Sequence, residues 1–312
     1  MDKSRRDFVG AGLGFGLVAL VGGPALTRAA FAGRAARGAP AHFPVGVQLW
    51  SVDAQMKKDV PSALAAIRRI GYRQVEAASL HGLAPDAFRR ALDEAGLVCG
   101  SAHVSMTELM KDMAGAVAQV RDLGADYLVC SAPQPDGPLP AGVAWIPAMR
   151  QAMTREAWKR NADQLNMVAT KAAAAGLRVG YHNHPFEFAT YDGAVGWELL
   201  IERTEPSLVS FELDCAWAAA GGRDPAAVLR QHGHRIRLLH LKDLARKPTL
   251  GTTHNDDTTC AVGSGVIDWK AVLEAAADAR IVAGYVEQEP PVSAIYRDLE
   301  KSRDYLAERM GG

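Results

Sequence analysis

The stretch Ala174-Ala175-Gly176-Leu177-Arg178-Val179-Gly180-Tyr181-His182-Asn183-His184 decides the architecture. A helical run, Arg155–Ala175, stops at a glycine that can take the left-handed conformation of a C-cap at little steric cost. A short run, Arg178–His182, has the length and composition of a strand. It ends on a crowd of ionisable and polar side chains. The same unit recurs along the chain. Helical segments also stop at glycine in Ile70-Gly71, Ala95-Gly96 and Leu123-Gly124. Further helical stretches are Pro61–Ile70, Pro85–Ala95, Pro225–Gln231 and Trp269–Asp278. Strands are expected at Val45–Trp50, Gln74–Ala77, Val98–His103, Tyr127–Cys130, Arg178–His182, Val209–Asp214, Ile236–His240 and Val282–Glu287. Strand and helix in strict alternation mean a parallel sheet. Eight units within about 270 residues suit a single (β/α)8 TIM barrel of the α/β class better than an open sheet. No Gly-x-Gly-x-x-Gly follows the first strand, so a dinucleotide fold has no foothold.

The first residues read differently. Ser4-Arg5-Arg6-Asp7-Phe8 precedes an uncharged apolar, glycine-rich run from Val9 to Leu26, and Ala30-Phe31-Ala32 gives a small-x-small cleavage site. Residues 1–32 are therefore expected to be an export signal of the twin-arginine type, 33–42 a linker and 43–312 the barrel. The glycines and the terminal Ala-Phe-Ala favour cleavage over a retained anchor. The expected location is periplasmic or otherwise exported, with membrane contact only through the signal. The 35 basic and 35 acidic residues balance, and removing residues 1–32 leaves 31 against 33. No basic stripe is present to neutralise several phosphates, which excludes a nucleic-acid partner. None of the four cysteines, Cys99, Cys130, Cys215 and Cys260, forms a Cys-x-x-Cys pair, so zinc-finger and thioredoxin-like readings fail. Oligomeric state is left open, a homo-oligomer included.

Two connections are long. One, from Ser131 to about Thr154, holds Trp145; the other, from Ala245 to Gly265, holds His254, Asp256 and Asp257. Both follow strands and belong to the C-terminal face, where barrel enzymes place their chemistry. On that face His103 closes strand three, His182-Asn183-His184 strand five, Glu212-Leu213-Asp214 strand six, His240-Leu241-Lys242-Asp243 strand seven and Glu287-Gln288-Glu289 strand eight. Side chains alternate across a strand. If Val209, Phe211 and Leu213 face the helices, Glu212 and Asp214 point into the barrel. The same parity turns His240 and Lys242 inward and puts Tyr285, Glu287 and Glu289 on one face. Converging carboxylates repel unless neutralised, and with imidazoles beside them they suit one divalent cation, Mn²⁺, Zn²⁺, Co²⁺ or Fe²⁺.

These stretches resemble the xylose isomerase-like barrel superfamily, which includes sugar isomerases, epimerases and inosose dehydratases. The match runs from Gly180–Phe188 through Phe211–Trp217, Leu239–Asp243 and Val262–Trp269 to Tyr285–Glu289, within 43–310. The resemblance implies that Asp214, His240 and Glu287 are metal ligands. It places His182 at the fourth ligand position, where the epimerases and dehydratases carry glutamate. That departure weakens the case for two opposed carboxylates exchanging a proton across the sugar, and Glu187 is a candidate replacement from the loop. Glu287 is the expected base. His184 and Lys242 are candidates for substrate binding or proton donation. Gln48, Trp50, His103 and Glu212 are expected to line the sugar site, with Trp145 as a stacking lid. The implied activity is a metal-dependent isomerase or epimerase working through the enolate of a keto-sugar. The alternatives are a lyase or dehydratase on a keto-sugar or 3-ketoglycoside, and a non-catalytic carbohydrate-binding barrel.

Overall fold

A computed structural model describes residues 41–246, 259–289 and 293–311. The expected export signal, most of the linker, and His254, Asp256 and Asp257 lie outside the described residues. Eight parallel strands close into a barrel: β1 (Val45–Gln48), β2 (Gln74–Ala77), β3 (Val98–Val104), β4 (Tyr127–Cys130), β5 (Arg178–His182), β6 (Val209–Asp214), β7 (Ile236–Leu241) and β8 (Ala283–Val286). Each strand pairs with its neighbours in sequence, and β8 closes on β1. Seven of the strands follow the expected positions to within one residue at either end. β1 stops two residues early, because the Gln48 side chain accepts the Trp50 amide at 3.1 Å and turns Leu49–Val52 into a 3₁₀ turn. The long connection after β4 is less irregular than expected: Trp145–Ala152 is helical. No helix among the described residues is long and apolar enough to cross a membrane.

Alternation sorts the strands as the pattern requires. Val209, Phe211 and Leu213 of β6 join the apolar layer between sheet and helices, whereas Tyr127, Val129, Leu238, Ala283 and Tyr285 form a separate apolar plug. The plug fills the lower barrel and makes it a packed core rather than a pore. Small residues make room for its tyrosines. A Cβ on Gly100 would lie 2.3 Å from the Tyr285 hydroxyl and 1.8 Å from Gln74 Nε2, so both side chains would have to move to admit one. Above the plug, the inward positions become polar and are buried: Gln48, Glu76, Ser101, Glu212, Asp214, His240 and Lys242 are all fully enclosed.

The β7 end is organised by Asp243. Its carboxylate accepts the amides of Leu244 (2.8 Å), Gly263 (2.9 Å), Gly265 (3.1 Å) and Ile267 (3.1 Å) and the Trp269 indole N–H (2.8 Å). This explains the glycine-rich stretch Val262–Trp269. A Cβ on Gly265 would stand 2.3 Å from Asp243 Oδ1 and 2.2 Å from the Leu244 carbonyl oxygen. Only glycine lets the loop wrap that closely around the carboxylate.

Candidate metal centre

At the C-terminal mouth, β5, β6, β7 and the residue after β8 deliver four donors to one point. One ligand atom each from His182, Asp214, His240 and Glu287 lies within 4.8 Å of all the others, and all four residues are buried. His182 Nε2 is 3.0 Å from His240 Nδ1 and 3.5 Å from Asp214 Oδ2. His240 Nδ1 is 2.7 Å from Glu287 Oε2 and 3.7 Å from Asp214 Oδ2. Donors bound to one cation at about 2.1 Å stand about 3.0–3.4 Å apart, so the spacing fits a shared divalent ion.

Each ligand is aimed by its own surroundings. Asp214 Oδ1 accepts the Trp217 amide at 2.8 Å and caps the helix Cys215–Ala220, which leaves Oδ2 for the cluster. Asn183 ties the strand ends together, accepting the Asp214 amide at 3.0 Å and donating to its carbonyl at 3.3 Å. Lys242 approaches Asp214 Oδ2 (3.2 Å) and Glu287 Oε2 (3.0 Å), yet neither oxygen gains a well-aligned hydrogen bond. Two buried carboxylate oxygens thus point into the cluster without a hydrogen-bond partner. A bound cation would satisfy both.

The electrostatics agree. Burial lowers the His182 imidazole, the neighbouring His240 adds to the effect, and it titrates at about 4, so it presents a lone pair. Burial would lower His240 as well, but Glu212, Glu287 and Glu76 outweigh it and hold it well above the ordinary histidine value. The carboxylates here therefore demand more positive charge than the protons of neutral side chains supply. Burial would raise Glu287 and Asp214; Lys242 and the histidines outweigh it and keep both ionised.

One layer deeper lies a residue that the motif reading missed. Glu76 of β2 forms a second group of converging donors with His103, Glu212 and His240. His240 Nε2 donates to Glu76 Oε1 at 2.6 Å, and His103 Nε2 donates to Glu212 Oε2 at 2.9 Å. Gln48 donates to Glu76 at 2.8 Å, and the Ser101 hydroxyl closes the remaining side. The sequence offered one signal, an acid at inward parity inside the short strand Gln74-Val75-Glu76-Ala77. Motifs read at strand ends pass over it.

Above this four-residue cluster opens a cavity of about 510 Å³, lined by Gln48, Trp50, His103, Trp145, His182, His184, Trp217, Glu287 and Glu289 among others. That volume falls in the usual range for small-molecule sites. A second hollow of about 610 Å³, beside Lys57, Asp59 and His81, has no converging ligands. Gln48, Trp50, His103, Trp145 and His184 therefore reach the expected place. Trp50 and Trp145 are each 41% exposed, and the Trp145 ring meets His184 edge-on at 4.7 Å. Glu212 sits beneath the cavity rather than in its wall.

Two further expectations change. Lys242 is fully buried behind the carboxylates, with Glu289 at 2.6 Å and the Trp217 ring 4.3 Å away, so it balances charge and does not face a substrate. Glu187 does not supply the missing carboxylate. It sits on the outer side of β5, where Oε1 accepts the Tyr181 hydroxyl (2.7 Å) and Oε2 the His184 amide (2.8 Å). Tyr181 alternates with His182 and faces the helices, which is why its partner Glu187 cannot reach the mouth.

Several known proteins are similar to this chain in sequence or fold. Over 174 residues the chain is 29% identical to an inosose dehydratase of Geobacillus thermodenitrificans, across 52% of this chain and 58% of that protein. The matched region thus spans less than two thirds of that relative's length. A sugar phosphate isomerase/epimerase from Parabacteroides distasonis has the same fold, with a TM-score of 0.65 at 23% identity over 87% of this chain and 96% of that one. So does the IOLI protein, in a structure with a bound zinc atom, with a TM-score of 0.63 at 14% identity over 86% and 98%. The sequence pattern of one family matches residues 64–308, and the chain accordingly belongs to the xylose isomerase-like TIM barrel family.

Proposed function

We propose that the chain is a divalent-metal-dependent lyase that eliminates a β-oxygen substituent from a keto-carbohydrate. The observation that carries this reading is the asymmetry of the mouth. Glu287 is present on one side, while β5 offers the imidazoles of His182 and His184, and Glu187, the carboxylate that follows them in the chain, is turned away and occupied. A symmetric epimerase needs a proton-exchanging group on each face of the sugar. An elimination needs one base and one acid.

His182, Asp214, His240 and Glu287 would hold a divalent cation, and the chemistry it would supply is Lewis acidity toward a carbonyl oxygen, which would acidify the neighbouring C–H. Glu287, ionised under the influence of Lys242 and His240, accepts that proton. The electron pair released from the C–H bond becomes the new C=C bond as the C–O bond on the next carbon breaks. His103 lines the cavity with its Nε2–H anchored on Glu212; burial opposes its charge, but Glu76 and Glu212 outweigh that and raise it to about 9, so the imidazolium gives its other ring proton to the departing oxygen. Glu287 and His103 then exchange protons with water to complete the cycle. Trp50 and Trp145 flank the opening and supply apolar faces for stacking on the sugar. The dehydratase named among the similar proteins supports this outcome; the isomerase/epimerase supports a shared opening step. Export through the Arg5-Arg6 signal is part of the proposal and is tested by cell fractionation.

The deciding experiment incubates residues 33–312, loaded with Mn²⁺, Co²⁺ or Zn²⁺, with cyclic keto-sugars and ketoglycosides in deuterated buffer. Loss of water or an alcohol, abolished in Glu287→Gln, is expected. Deuterium gained at the carbon next to the carbonyl without loss of any group would replace this reading with an isomerase or epimerase.

A further inference from the structure

His240 has two ring nitrogens and the fold uses both. Nδ1 faces Glu287 and His182 in the upper cluster, while Nε2 donates to Glu76 in the layer below. We infer that Glu76 is a positioning residue for the metal centre: its carboxylate takes the His240 Nε2 proton and so directs the Nδ1 lone pair at the cation. The inference rests on the metal-centre reading above and goes beyond it to a residue outside the ligand set.

The geometry around Glu76 is specific to that task. Its carboxylate is wholly enclosed and is gripped from three other strands, by Gln48 of β1, Ser101 of β3 and His240 of β7. A neutral imidazole carries one N–H; once Glu76 accepts it, the tautomer and the ring plane are both fixed. Glu212 is the poorer partner: it lies 3.3 Å from His240 Nε2 against 2.6 Å for Glu76, and the two carboxylates share His103 Nε2 at 2.9 and 3.0 Å.

The backbone is arranged for this contact as well. Along β2 and β3, Gln74 pairs with Val98 and Val75 with Cys99, but Glu76 pairs with Ser101. A regular register would have set Glu76 against Gly100, which has no hydroxyl to donate. The extra residue of this β-bulge replaces a bare glycine with a donor beside the carboxylate.

The test is metal binding rather than turnover. The stripped protein, its Glu76→Gln, Ser101→Ala and Asp214→Ala variants, and ¹⁵N-histidine-labelled samples are titrated with Zn²⁺ or Co²⁺. One ion per chain is expected in the parent and none in Asp214→Ala. Glu76→Gln keeps the shape but loses the charge, and it should bind roughly 10–100-fold more weakly. In the Zn²⁺-loaded protein the His240 Nε2 proton should resonate far downfield and move upfield in Glu76→Gln. A merely structural carboxylate would not produce that signature. Ser101→Ala should weaken binding several-fold in the same direction and carries the test should Glu76→Gln fail to fold. Unchanged affinity in the folded Glu76→Gln variant, with Asp214→Ala still metal-free, overturns this inference and leaves the metal centre intact. Two ions in the parent, one of them lost in Glu76→Gln, also overturns it, since Glu76 would then be a ligand of a second site. A parent that binds no ion removes both readings.

Discussion

The carboxyl of Glu187 is enclosed among Tyr181, the His184 amide and the 3₁₀ turn Pro185–Phe188. Burial pushes its pKa up to about 8. In the unfolded chain it would ionise near the ordinary value of 4.5. Between those two pH values the folded state therefore holds a proton that the unfolded state has released. Stability contributed by this residue must fall as pH rises from about 4.5 to about 8 and level off above. Each unit of difference is worth about 1.4 kcal/mol, so the total reaches at most a few kcal/mol. Urea midpoints of the parent should drop across that window, and Glu187→Gln should remove much of the drop. An equal slope in both proteins would mean the carboxyl is ionised throughout. Glu187 and Glu287 also mark what residue-level reading can do. Parity along a strand is a local property with a period of two, so the inward sets Glu212/Asp214 and His240/Lys242 were legible. Glu187 lies past the end of β5, where the chain leaves the strand and the parity no longer applies. Its role follows from Tyr181, which packs on the helix side of β5.

At the scale of elements, the loop after β7 depends on one carboxylate twenty or more residues from most of its partners. Asp243 gathers four amides and an indole N–H, and the glycines at 263 and 265 allow the approach. The sequence pattern Val262-Gly263-Ser264-Gly265 was visible, but the reason for it was not. Nothing local to the glycines names the strand end that they embrace. The same limit hid Glu76, whose meaning depends on the register shift between β2 and β3. Asp243→Ala should strand several buried donors at once and cost about 3–5 kcal/mol in urea unfolding. Because Lys242 precedes it and holds Asp214 and Glu287, the variant should also bind metal more weakly. Retention of parental stability would show that water replaces the carboxylate and that the loop does not need it.

At the scale of the whole molecule, the barrel places acidic and imidazole groups from six strands or strand ends above an apolar plug, brought together from positions far apart in the sequence. Glu76 comes from β2, His103 from β3, His182 from β5, Asp214 from β6 and His240 from β7, with Gln48 on β1 and Glu287 just past β8. A cation that needs four of them together binds the folded state far better than the unfolded one, so its binding energy appears as folding stability. At a free ion concentration of 100 times Kd the gain is about 2.7 kcal/mol. For a domain of this size each kcal/mol raises Tm by about 2–4 °C, which predicts an upward shift of roughly 5–10 °C. Thermal unfolding of stripped protein with and without Mn²⁺, Co²⁺ or Zn²⁺ reads it directly, and a chelator should reverse it. Asp214→Ala should melt at the same temperature with or without the ion, because removing one donor opens the cluster. A shift that persists in Asp214→Ala would place the ion somewhere other than the barrel mouth. The absence of any shift in the parent would mean that Lys242 and the protonated histidines already neutralise the carboxylates, and the cavity above them would have to work by hydrogen bonding and stacking alone.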